Sequence, residues 1–202
     1  VWTEPETGLS FLRELPGDGR GRPTQTLIGG GVYTKALMFK IYALAFYADV
    51  PRVLAAPELQ AFRDAAAAAA AFVGAGAAAT TAAARAGAAS LMSAMARSSS
   101  FDRSISLRLS MAVSRDTAIA AMNSDFDLTP LEKRLLVGTA LKSADATCCG
   151  AGTELLFTSR RSGDLEVYLD GRLVDTLRTD GLSEGLWRNY VGGNPVSPPS
   201  RD

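Results

Sequence analysis

A handful of side chains able to do chemistry fall within one apolar stretch. Leu27 to Val50 reads LIGGGVYTKALMFKIYALAFYADV, with Tyr33, Lys35, Lys40, Tyr42 and Tyr47 in or beside it. A phenol both donates and accepts hydrogen bonds, and an ammonium only donates. The hydroxyl of Ser183, far along the chain, is a candidate to join them. Such groups orient an oxygen-rich ligand, but at neutral pH they are weak general bases. They point to binding, or to a reaction that needs positioning and electrostatics more than proton transfer.

Other chemistries find little support. The chain has no histidine, which removes His-based triads, His general bases and most zinc sites. Its cysteines are the adjacent pair Cys148 and Cys149, a spacing poorly suited to a disulfide, and read as two thiols at a helix–strand junction. Gly29, Gly30 and Gly31 do not make a phosphate loop, because Lys35 is followed by Ala36 and a strand follows where a helix should. Asp116, Asp125, Asp127, Glu132, Asp164 and Asp170 fall at caps, turns or exposed faces, so no metal site and no cofactor are expected. Charge balances, with 21 Lys and Arg against 21 Asp and Glu, so neither nucleic acid nor an anionic membrane is an expected partner. The Ala- and Gly-rich tract at 65–89 is too weakly hydrophobic to span a bilayer.

The elements that must position the polar groups follow from periodicity. In the strand that contains Tyr42, both alternating sets are mostly apolar, so both faces should be covered and the strand should be central. The three glycines introduce it as a turn or bulge able to take positive φ. Upstream, Leu9–Leu12 and Thr24–Ile28 suggest a small hairpin. Downstream, Pro51 ends the extended run, and helices are expected over 59–72 and 82–96, with a poorly ordered insertion at 74–81 between them. The segment 104–113 alternates cleanly and predicts a strand with one face on the core and one in solvent. Ser114 caps a helix over 118–123, and Thr129-Pro130 opens another with Leu131, Leu135, Leu136 and Leu141 inward. Strands at 153–160, 164–170 and 172–177 form a meander, turned by Asp170-Gly171. Ser183 caps a last helix that Gly192-Gly193 stops. The order predicts an α+β fold: a long antiparallel sheet with helices on one face, in a single domain over 1–202. An Ala-rich insertion at about 65–97 is helical or poorly ordered.

The same stretches carry a family likeness. Gly29-Gly30-Gly31-Val32, a spacer, and then Phe39-Lys40-Ile41-Tyr42-Ala43-Leu44-Ala45-Phe46-Tyr47-Ala48-Asp49 resembles the first long strand of the chalcone isomerase superfamily. Trp2-Thr3-Glu4-Pro5 and Thr7 to Phe11 resemble the lead-in of its fatty-acid-binding branch. Gly152 to Phe157, Ser162 to Leu165, Leu182 to Leu186, Tyr190 to Gly192 and Val196 to Pro198 follow its order to the end of the chain.

The resemblance implies an open-faced β-sandwich with a ligand cleft between sheet and helices. It implies Tyr42 at the long-strand position, Ser183 at the last-helix position, and Tyr33 where the family has an anchoring arginine. A phenol cannot replace a guanidinium fork, which Lys35 compensates in part as a point charge. Tyr33, Lys35, Tyr42 and Ser183 are thus the implied ligand-binding set. The implied function is binding of a fatty acid or similar amphiphile, with little or no isomerase activity, by a monomer in a plastid. The alternatives are a chalcone–flavanone isomerase, an intramolecular lyase in which Tyr42 and Ser183 are catalytic, and a ligand-free structural or partner-binding protein. An arginine reaching the cleft from Arg20, Arg22 or Arg103 would supply the anchor.

Overall fold

The computed structural model describes residues 1–19, 21–35, 39–71, 87, 90–125, 128–140, 149–178 and 181–191. Its frame is a seven-stranded antiparallel sheet in simple sequence order. The strands are β3 (Glu14–Leu15), β4 (Gln25–Lys35), β5 (Phe39–Ala48), β6 (Arg103–Leu109), β7 (Glu154–Ser159), β8 (Leu165–Leu169) and β9 (Arg172–Leu177). A two-stranded ribbon of β1 (Trp2–Thr3) and β2 (Ser10–Phe11) stands apart from it. The helices are α1 (Val50–Ala55), α2 (Gln60–Ala71), α3 (residues 90–97), α4 (Arg115–Asp125), α5 (Pro130–Ala140) and α6 (Leu182–Val191). The segment 74–81, expected to be a loose insertion, lies outside the described residues.

Register explains which residues go where. On the inner face Tyr42, Leu44 and Phe46 of β5 lie opposite Leu109, Leu107 and Ile105 of β6. Leu107 and Ile105 lie opposite Leu155 and Phe157 of β7. This apolar row packs against Leu136 of α5 and Leu182, Leu186, Trp187 and Tyr190 of α6. Each fully buried Leu or Phe is worth about 1.5–3 kcal/mol, so this layer supplies most of the driving force. The result is the expected α+β open-faced sandwich, with helices on the inner face.

The outer face departs from expectation. Ser104 and Ser106 of β6 were expected in solvent, yet both are fully buried. The cause is remote: Phe11, Trp2 and Leu9 from the N-terminal ribbon pack onto Ala43, Ala45 and Tyr47 beside them. Covered hydroxyls need partners. Ser104 and Thr158 pair their Oγ atoms at 2.9 Å, and Ser106 donates to the Glu154 carboxylate. Arg108 donates to the Ser10 carbonyl at 2.7 Å and lies 5.3 Å from the centre of the Phe11 ring.

The N-terminal pairing also differs. Leu9–Leu12 does not pair with Thr24–Ile28: β2 pairs with β1, and β3 pairs with β4. A local turn wins, because the buried Glu4 carboxylate accepts from the Thr7 N–H and hydroxyl, each at 2.7 Å, while Gly8 takes φ +71°. Gly29, Gly30 and Gly31, expected as a turn or bulge ahead of the long strand, lie inside the paired strand β4, with a register shift between Leu27 and Gly29 and no positive φ among the three. Leu131, expected inward on α5, is 56% exposed, whereas Leu136 is fully buried.

Several local signals act as expected. Ser114 Oγ accepts from the Thr117 N–H at 3.1 Å, and Thr129 with Glu132 forms a reciprocal cap at the start of α5. Asp170 (φ 48°) and Gly171 (φ 76°) turn β8 into β9. Ser183 does not cap α6. Gly181, at φ +87°, precedes the helix and its carbonyl accepts from Gly185, so Ser183 falls in the first turn.

Candidate functional site

A cavity of about 80 Å³ opens between the inner face of the sheet and the helical layer. Its floor is Tyr42, Leu107, Leu109, Leu155 and Leu169, one side chain from each position where the inner row reaches this end of the sheet. Its roof is Thr117, Ala118 and Ala121 of α4, with Val113 just before that helix and Tyr190 from α6. Ile41, Cys149 and Thr153 close the edges. The void has a simple origin. An alanine-rich helix turn faces a floor of leucines, and alanine side chains are too short to fill the gap between backbone layers.

None of the described lining residues is an acid, a lysine or an arginine, and the surface they turn to the cavity is almost wholly apolar; those with a polar group are Tyr42, Tyr190, Thr117, Thr153 and Cys149. Cys149 is buried, and Cys148 lies outside the described residues. Among the described residues no imidazole or carboxylate stands in this lining, so what they offer is chiefly an apolar shape. Among the described residues no group of three His, Cys, Asp or Glu could hold a metal ion. No helix of the described residues is long and apolar enough to cross a membrane.

The expected site residues divide. Tyr42 lines the cavity, and Tyr33 stacks on it with ring centres 4.8 Å apart and planes at 18°. The two residues are direct cross-strand partners, so strand register brings them together. The Lys35 side chain lies outside the described residues. Ser183 does not line this cavity: its Oγ lies 3.4 Å from Arg103 Nη2. Seven residues further along α6, roughly 10 Å, Tyr190 reaches the cavity instead.

Two of the candidate anchoring arginines, Arg103 and Arg22, are engaged elsewhere. Arg103 is buried on the inner face, but at the opposite end of β6 from Leu109, roughly 20 Å away along the strand. It donates to the carbonyls of Ala96, at 2.8 Å, and Ser98, and lies 5.4 Å from the Trp187 ring centre. Burial pulls its pKa down to about 10, against the opposing charges of Glu184 and Asp102. Arg22 lies over the Tyr168 ring, 5.3 Å from its centre. Arg20 lies outside the described residues. Lys40 donates to the Glu6 carbonyl at 2.8 Å.

Tyr190, Thr117, Ala118, Ala121, Cys149 and Thr153 were not read as site residues. Tyr190 had a signal, as the last of the apolar series Leu182, Leu186, Tyr190, but that series reads as core. The alanines of α4 had none, since alanine marks helix propensity and says nothing of a void.

No protein-family model matches this chain, and no curated protein matches it in sequence. Among solved structures it is similar to a fatty-acid binding protein of Arabidopsis thaliana. The TM-score is 0.65 at 20% identity, over 97% of this chain and 91% of the other. At that identity the likeness is one of fold alone, and it agrees with the sheet-and-helix order read from the sequence.

Proposed function

We propose that the protein binds a small amphiphile, a fatty acid or similar molecule, between the inner face of the sheet and helices α4 and α6, with little or no isomerase activity. The observation that carries this reading is the apolar, leucine-floored cavity with phenols at its walls. Hydrocarbon placed there gains about 0.8 kcal/mol per buried CH₂. The fold it shares with a fatty-acid binding protein supports the reading. Tyr42 is the proposed ligand contact, with Tyr33 holding its ring in place. On the family resemblance alone we also propose a plastid location, which imaging of a fluorescent fusion tests.

Native mass spectrometry of the purified protein, with extraction of bound small molecules, tests the proposal. The expected result is one amphiphile per chain, lost when Ala118→Leu fills the roof. A protein that is empty, and that stays empty after incubation with fatty acids of several lengths, overturns it. Cyclisation of a chalcone at an enzymatic rate would overturn the non-catalytic part alone.

A further inference from the structure

We infer that the cavity seats the hydrocarbon end of the amphiphile and leaves its polar head outside. The inference rests on the binding reading above and sets the ligand's direction. Three observations carry it. First, none of the described lining residues is an acid, a lysine or an arginine, so an ionised head placed among Leu107, Leu109, Leu155 and Leu169 would be stripped of water with no counter-charge among them. An ion buried so is costly, and one or two phenol donors repay little of that cost. Second, Arg103, the buried guanidinium on this face, is held by the Ala96 and Ser98 carbonyls and is far out of reach along β6. Third, the volume of about 80 Å³ is well below the roughly 150 Å³ of an apolar cavity that holds benzene, so it encloses only a tip of a long chain. A terminal methyl and its neighbouring methylenes fit that volume and need no counter-charge, whereas a carboxylate fits the volume but finds no counter-charge among the described residues that line it. The rest of the chain then leads out past Tyr42 and the Tyr33 ring stacked on it, both half-buried. What selects the ligand is therefore an unsubstituted tail, and the head group is free to vary.

Isothermal titration with three ligands of one chain length distinguishes the directions. Dodecanoate carries one ionised end. N-Dodecanoyltaurine carries a larger sulfonated head on the same tail. Dodecanedioate is ionised at both ends. The expected result is that the first two bind within about threefold of each other, and that dodecanedioate binds at least about 100-fold more weakly, since one of its charges must be buried. Binding of dodecanoate with loss of the taurine conjugate overturns the inference and leaves the binding reading intact. Dodecanedioate binding as tightly as dodecanoate also overturns it. Failure of all three to bind overturns both.

Discussion

The rings of Tyr33 and Tyr42 lie stacked across the β4–β5 pair, 4.8 Å between centres. Only Tyr42 touches the cavity, so Tyr33 acts on the site through its neighbour. A cross-strand aromatic pair contributes roughly 0.5–1.5 kcal/mol beyond its buried area. Tyr33→Ala is expected to lower stability by about 1 kcal/mol and to weaken ligand binding several-fold. Tyr33→Phe keeps the stack and is expected to retain both. Urea unfolding and a fluorescent fatty-acid titration on the two variants check this; equal ligand affinity in Tyr33→Ala and the parent protein would remove Tyr33 from the site.

Three adjacent glycines in β4 should respond differently to the same methyl group. A Cβ at Gly30 would stand 2.6 Å from Trp2 Cζ3 and 2.7 Å from the Leu44 carbonyl oxygen. At Gly29 and Gly31 no described atom lies within 4 Å of that position. Gly30→Ala is therefore expected to cost about 1–3 kcal/mol as an overpacked contact and to shift the Trp2 ribbon. Gly29→Ala and Gly31→Ala are expected to be neutral, or to gain up to about 1 kcal/mol by restricting the unfolded chain. Thermal unfolding of the three variants settles the order, and a Gly30→Ala protein as stable as the parent would mean that Trp2 does not rest on that strand.

How much of this was legible depends on whether the cause is local. The strand through Tyr42, the Ser114 and Thr129 caps and the Asp170-Gly171 hairpin are set by residues a few positions apart, and each could be read directly. The cover over Ser104 and Ser106 could not. Alternating Ser and Arg has the pattern of a solvent face, and the atoms that bury them come from about Trp2 to Phe11. The cavity was half legible. Tyr42 stands out as a phenol in an apolar strand. The roof is made by what Ala118 and Ala121 lack, which no pattern of residue types announces. Ser183 was assigned to the site from its position at the head of α6, but the helix axis carries it to Arg103 and brings its far end, Tyr190, to the cavity.

One buried phenol, Tyr47, and one half-buried phenol, Tyr168, should govern alkaline unfolding. Tyr47 is 1% exposed and donates to the Leu12 carbonyl at 2.9 Å; burial, with the Glu154 charge adding and Arg108 opposing, raises its pKa well above the ordinary value. Burial, then the hydrogen bond to Glu166 and that carboxylate's charge, pushes Tyr168 up to about 12, with Arg22 opposing. A raised pKa means the folded chain keeps a proton that the unfolded chain sheds near pH 10. Their contribution is full below that pH and is lost as pH rises through the folded values. Arg103 has the opposite sign: its folded pKa of about 10 relieves a buried charge over the same range and offsets part of the loss. Urea midpoints are expected to fall from pH 9 to pH 11. Tyr47→Phe should flatten that fall while costing about 1 kcal/mol at pH 7 for the lost hydrogen bond. An unchanged alkaline slope in Tyr47→Phe together with Tyr168→Phe would show that neither phenol is responsible.

Arg103 links the end of α3 to the start of α6. Its guanidinium donates to the carbonyls of Ala96 in α3 and Ser98 just beyond it, where that helix leaves carbonyls unsatisfied, and to Ser183 in α6 at 3.4 Å. Its plane also rests near Trp187, itself fully buried. Arg103→Met keeps the apolar stem and removes every donor. The two carbonyls then stay buried without partners, at about 1–3 kcal/mol each. Arg103→Lys retains the charge but has no fork, so one ammonium must choose between α3 and α6. Both variants are expected to lose stability, the methionine by several kcal/mol and the lysine by less. Ser183→Ala tests the weakest of these bonds, the long one to α6, and should cost under about 1 kcal/mol. Hydrogen exchange gives the sharper readout. In both Arg103 variants protection should fall in α3 more than in α6, because α6 keeps the Leu182, Leu186 and Trp187 contacts with the inner face of the sheet. Equal loss in the two helices would mean that Arg103 serves the whole inner layer and not the end of α3.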